Sequence, residues 1–151
     1  MSTLINENLI DLGVDLKTKE EVIDHVAVLM NKDGKLSDKA GYIQAVRDRE
    51  AEISTNLGDG IGMPHARTNY VKEAGLVFLR LNNPIAWGEE APVRIVFGIG
   101  VPDSAGDLHL KILAQLARKL IYDEFKQKLF NASSKEEVLA LINEATGGLV
   151  Q

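Results

Sequence analysis

The chain is 151 residues long, 45% hydrophobic and 26% charged, the make-up of a single folded domain rather than a disordered segment. Its 17 lysines and arginines against 22 acids leave a net charge of −5, which disfavours nucleic acid as a partner. There is no cysteine, so disulfides, thiolate nucleophiles and cysteine-bound metals are excluded, and imidazole chemistry must use His25, His65 or His109. The first residues lack the basic and apolar regions of a signal peptide, and apolar runs such as Val26 to Met30 fall far short of the ~20 residues that span a bilayer. A cytoplasmic protein, not inserted in a membrane, is expected.

In chain order, the first predicted element is a helix from Lys19 to Asn31. Thr18 and Glu21 form a capping box, Val22, Ile23, Val26, Leu29 and Met30 form one apolar stripe, and Asp33-Gly34 ends the helix. A second helix is predicted from Ser37, as cap, to about Glu52, with Tyr42, Ile43, Ala45 and Val46 inward. The stretch from Ser54 to His65 is interrupted by Gly58, Gly60 and Gly62 and holds a short apolar strand, Ile61 to Met63. Two strands are predicted at Ala74–Leu81 and Val93–Val101, bounded by Asn82-Asn83-Pro84 and Pro102-Asp103. The second is apolar nearly throughout, as a strand covered on both faces should be. Asp107 is expected to cap a helix to Lys119, with Leu110, Leu113, Ala114, Leu116 and Ala117 inward. A short helix follows at Asp123–Phe130, and then one capped by Ser134 that runs to about Glu144 and stops at Gly147-Gly148. Helices, strands and helices on one chain of this size predict an α/β sandwich.

The chemistry concentrates between Arg49 and Arg67. Pro64 fixes its own φ and restricts Met63, so His65 is presented on a stiff backbone. Such an imidazole suits a nucleophile, a general base or a metal ligand; it equally suits a buried histidine bonded to a backbone carbonyl. His109 falls near the first turn of the helix after Asp107, where backbone N–H groups and the helix dipole favour an anion. His25 reads as a rim residue. Arg47, Arg49 and Arg67 flank the glycine stretch, and guanidinium groups hold phosphoryl oxygens well. The three glycines suggest a phosphate-cradling loop, but the Gly-Lys-Ser/Thr of a P-loop is absent. Two histidines without an intervening carboxylate make a poor zinc site.

Taken together, Arg49-Glu50, Thr55, Gly58, Gly60, Pro64-His65-Ala66 and Arg67-Thr68 resemble the signature of fructose/mannitol-type enzyme IIA domains of the bacterial phosphoenolpyruvate:sugar phosphotransferase system. The resemblance continues through Leu76–Leu81, Pro84-Ile85, Val93–Val101, Leu108-His109-Leu110 and Asp123-Glu124-Phe125. It spans about Leu4 to Glu144, within one domain covering residues 1–151. Asn56 stands where glycine is common and Gly62 where alanine is common; the fructose subgroup is the nearest match.

This resemblance implies an α/β fold, a mixed, largely parallel β-sheet flanked by helices on both faces. It also implies that His65 accepts a phosphoryl group from phospho-HPr and passes it to a cysteine of a IIB component, which serves sugar import with the membrane component IIC. Arg49 matches the arginine that stabilises phosphoryl charge, His109 the histidine that hydrogen-bonds the group, and Thr55 a polar neighbour that contacts it. No cofactor and no metal are implied, since phosphoryl transfer asks mainly for positioning and charge stabilisation. Because the chain has no cysteine, the IIB nucleophile must lie elsewhere. Two other readings are a nitrogen-type regulatory enzyme IIA, which binds targets according to its phosphorylation state, and a metal-assisted hydrolase using His65 and His109.

Overall fold

A computed structural model describes residues 4–147. Its centre is a mixed six-stranded sheet. In chain order the elements are β1 (Ile10–Val14), α1 (Lys19–Lys32), α2 (Lys39–Glu52), β2 (Asn56–Gly58), β3 (Ile61–Gly62), β4 (His65–Arg67), β5 (Gly75–Trp87), β6 (Glu90–Val101), α3 (Leu108–Leu120), α4 (Asp123–Asn131) and α5 (Lys135–Thr146). The strand order is β1-β5-β6-β3-β2, with β4 also paired to β6. β1–β5, β3–β6 and β4–β6 are parallel, whereas β2–β3 and the long β5–β6 hairpin are antiparallel.

The α1 cap forms as the sequence requires: the Thr18 hydroxyl accepts the Glu21 N–H, and Val22, Ile23, Val26 and Met30 are buried. Ser134 caps α5 in the same way through the Glu137 N–H. Gly147 follows that helix; Gly148 lies outside the described residues.

Several boundaries differ from expectation. Asp38, not Ser37, caps α2, accepting the Gly41 N–H, while the Ser37 hydroxyl is drawn off to the Asn69 carbonyl. β5 does not stop at Leu81 but runs on to Trp87. Its register breaks between Arg80 and Ile85, and Pro84, which has no N–H to donate, falls at that irregularity. β6 likewise starts at Glu90, after a two-residue turn with Gly88 at φ 65°. β1 is an additional strand. It is short and interrupted by Gly13 at φ 78°, so it carries too little alternation to stand out in the sequence. On α3 the buried face is Ile112, Leu116 and Leu120. Leu110, Ala114 and Ala117 are exposed, because the helix meets the sheet along i, i+4, i+8 rather than along the stripe that begins at Leu110.

Helices cover both faces of the β5–β6 hairpin. On one face, Gly75, Gly98 and Gly100 lie under Met30 and Val26 of α1 and Tyr42 of α2. The Tyr42 hydroxyl donates to the Ile99 carbonyl at 2.8 Å. On the other face, Phe78 and Phe97 meet edge-on with centroids 5.4 Å apart, and the Arg80 guanidinium donates to the Leu129 and Phe130 carbonyls of α4.

The glycines on the first face are spacers. A Cβ on Gly98 would lie 2.5 Å from a Val26 methyl, with no room to yield between helix and sheet. Gly98→Ala is expected to destabilise the fold by about 1–3 kcal/mol through overpacking. That corresponds to a fall of roughly 3–10 °C in melting temperature, and an unchanged melt by circular dichroism would refute it.

Candidate active site

Three elements converge on a cleft of about 290 Å³. α2 contributes Ala45 and Arg49, four residues apart and so on one helical face. β4 contributes His65 and Arg67, two apart and so on one side of the strand. The first turns of α3 contribute His109 and, one turn on, Leu113, with exposed Leu110 at the margin. β4 is held in place by parallel pairing of His65 with Ile99 and of Arg67 with Val101 on β6.

His65 is buried, and its Nδ1 lies 2.9 Å from the Met63 carbonyl. A carbonyl can only accept, so Nδ1 carries the proton and Nε2 keeps its lone pair. The two readings left open by the sequence are thus compatible. The same ring bonds a backbone carbonyl at one nitrogen and offers the other to the cleft, where Nε2 makes no hydrogen bond with any described residue.

Burial lowers the His65 pKa below the ordinary imidazole value of 6.5; the Met63 bond opposes this, the Arg49 charge reinforces it, and Glu50 opposes it weakly. His109 is shifted the same way, by burial first and then by the charges of Arg67, His65 and Arg49, against Asp107. Its Nδ1 is buried without a hydrogen-bond partner among the described residues. Both imidazoles are therefore neutral at pH 7, and the cleft's positive charge comes from Arg49 and Arg67. The N-terminus of α3 adds its dipole.

The pH dependence follows with a definite sign. The unfolded chain binds protons on these histidines at a higher pH than the folded one, so stability falls as the pH drops below about 6.5. Imidazole nitrogen NMR is expected to show His65 titrating with a midpoint below 6.5, neutral and protonated at Nδ1 above it. A midpoint above 6.5, or an Nε2–H tautomer, would contradict the geometry.

The other residues named from the sequence lie elsewhere. Thr55 does not line the cleft; it is buried against Glu50, to which its N–H and hydroxyl donate. His25 sits at a rim, 2.9 Å from Asp11, and Arg47 pairs with Asp24 at 3.2 Å. Asp107 precedes α3 but makes no side-chain cap bond; it pairs with Lys111 at 3.6 Å. Nor do the glycines cradle an anion at the cleft. Asp59 and Gly60, at φ 56° and 82°, form the two-residue turn of the β2–β3 hairpin, and Gly62 packs against Trp87. Arg67, named from the sequence with Arg47 and Arg49, does reach the cleft, and its Nε lies 3.7 Å from Asp103. The period of two along a strand places it beside His65.

A neutral imidazole with a free Nε2, two guanidinium groups and a second imidazole on a helix N-terminus are the parts of a phosphoryl-transfer site. The family model described as phosphoenolpyruvate-dependent sugar phosphotransferase system, EIIA 2, matches residues 3–145, and the chain belongs to this family of phosphotransferases.

Among its relatives, the fructose-specific EIIA component of Haloferax volcanii is 34% identical over 95% of both chains. The fructose-specific EIIABC component of Bacillus subtilis is 32% identical over 95% of this chain, which spans only 23% of that larger protein. Two solved structures share the fold. The nitrogen regulatory protein IIA-Ntr of Neisseria meningitidis superposes with a TM-score of 0.84 at 29% identity, covering 92% of this chain and 96% of that one. The Escherichia coli mannitol IIA enzyme, solved in complex with phosphorylated mannitol IIB, gives 0.80 at 28% identity, covering 93% and 97%. Among the described residues, no helix is long and apolar enough to cross a membrane.

Proposed function

We propose that this chain is a phosphocarrier that takes a phosphoryl group from phospho-HPr onto His65 and hands it to a cysteine of a IIB component during sugar uptake, in the cytoplasm. The observation that carries this reading is the His65 ring itself, with Nδ1–H donated to the Met63 carbonyl and Nε2 left for the cleft.

As Nε2 bonds phosphorus, the P–N bond of the donor phosphohistidine breaks and the donor leaves as neutral imidazole. The His65 ring becomes positive while its Nδ1–H stays on Met63, so that bond strengthens as charge develops. Arg49 and Arg67 face the phosphoryl oxygens, with His109 as a further hydrogen-bonding group. No proton has to leave the site. Onward transfer runs in the opposite sense, with the IIB thiolate as nucleophile and His65 as leaving group.

Fructose-type sugars are the favoured class, supported by the fructose-specific relatives. A regulatory role, in which the phosphorylated and free forms bind different targets, has its own support in the likeness to the nitrogen regulatory protein. Delivery of the phosphoryl group to a IIB cysteine separates the two.

The direct test of the proposed chemistry is where the phosphoryl group sits. Phosphorus–nitrogen correlation by NMR is expected to place it on Nε2 of His65. A label on Nδ1, or on another residue, would overturn the reading.

A further inference from the structure

Glu50 follows Arg49 on α2 but does not line the cleft, and its carboxylate side chain is only 4% exposed. A carboxylate is rarely buried to that degree without strong partners. Glu50 has them. Lys19 Nζ lies 3.0 Å from Oε2, the Thr55 N–H donates to Oε1 at 3.2 Å, and the Thr55 hydroxyl donates to the same oxygen. The connection then continues through the backbone. The Thr55 carbonyl accepts the Met63 N–H at 3.0 Å, and the Met63 carbonyl accepts His65 Nδ1–H at 2.9 Å.

A second contact route braces the same segment. Lys19 Nζ stands over the Trp87 ring at 5.2 Å, and Trp87 packs on Gly62, the residue before Met63. One buried carboxylate therefore ties α1, α2 and the Thr55 segment together at the base of the peptide that holds the histidine.

We infer that Glu50 is the positioning residue of the phosphoryl acceptor: through Thr55 and Met63 it fixes the orientation of the His65 ring and its Nδ1–H tautomer. Thr55 is the second link of this chain rather than a group that touches the phosphoryl. The kinetic consequence rests on His65 being the acceptor; the tautomer does not.

The test compares Glu50→Ala, Glu50→Gln and Thr55→Val by imidazole nitrogen NMR, well above the titration of His65, and by steady-state phosphoryl transfer from phospho-HPr. In Glu50→Ala the neutral ring should become a mixture of tautomers, and kcat should fall by about tenfold or more with KM for phospho-HPr unchanged. Thr55→Val, which keeps the backbone donation to Glu50, should show a smaller change in the same direction. Glu50→Gln retains an acceptor oxygen and should keep the Nδ1–H tautomer. A merely structural ion pair would lower the melting temperature of Glu50→Ala and Glu50→Gln alike and leave the tautomer and kcat at wild-type values, which overturns the inference. Should Glu50→Ala fail to fold, an unaltered tautomer and kcat in Thr55→Val overturn it instead. If the wild-type protein takes up no phosphoryl group, the acceptor reading fails, and the tautomer comparison alone decides the role of Glu50.

Discussion

His65→Ala is expected to remain folded and to take up no phosphoryl group at all. The fold tolerates the change because the ring sits at the edge of a cleft, on a strand whose pairing with β6 is made by backbone groups. The side chain's one hydrogen bond among the described residues, to Met63, leaves a carbonyl that water entering the vacated space can satisfy. Chemically, nothing replaces the ring. His109 is also neutral, but it sits at the start of α3, a different element with a different approach to the donor. Incubation with radiolabelled phospho-HPr, alongside a circular dichroism spectrum, checks both halves. A folded mutant that still becomes labelled would place the acceptor elsewhere.

Arg49→Ala should slow transfer by about 10²–10³-fold, the usual loss when a positioned donor to developing charge is removed. Its side chain has no carboxylate partner among the described residues; its one hydrogen bond, to the Ile53 carbonyl, is long at 3.4 Å. The guanidinium is thus held at the cleft without being neutralised there, and its removal should shift the melting temperature by no more than a few degrees. Arg49→Lys restores the charge but not the planar fork and should recover only part of the rate. Rapid-quench transfer kinetics read the effect directly. A large loss of stability with unchanged transfer in the surviving protein would make Arg49 a structural residue instead.

What could be read from the sequence follows the range of the interactions involved. Thr18 and Ser134 cap their helices as expected, because an N-cap bond closes within three residues. The stiff Pro64-His65 presentation is equally local. The glycine stretch was misleading for a physical reason: a phosphate loop and a tight hairpin both need backbone at positive φ, so Gly58, Asp59 and Gly60 carry the same composition either way. Only the pairing of β2 with β3 separates the two. The buried face of α3 depends on how that helix meets the sheet, and the choice between the Leu110 and Ile112 stripes is settled by tertiary packing. Arg67 was legible as a guanidinium beside the glycine stretch, whereas the partnership of Glu50 with Lys19 links two helices and has no local signature.

Phosphoryl uptake is tested most directly by the intact mass of the purified chain after incubation with phosphoenolpyruvate, enzyme I and HPr. One increment of ~80 Da is expected, stable at neutral pH and lost on acid treatment, as a phosphoramidate on an imidazole must be. No increment in the presence of demonstrably phosphorylated HPr, or an increment that survives acid, would contradict it.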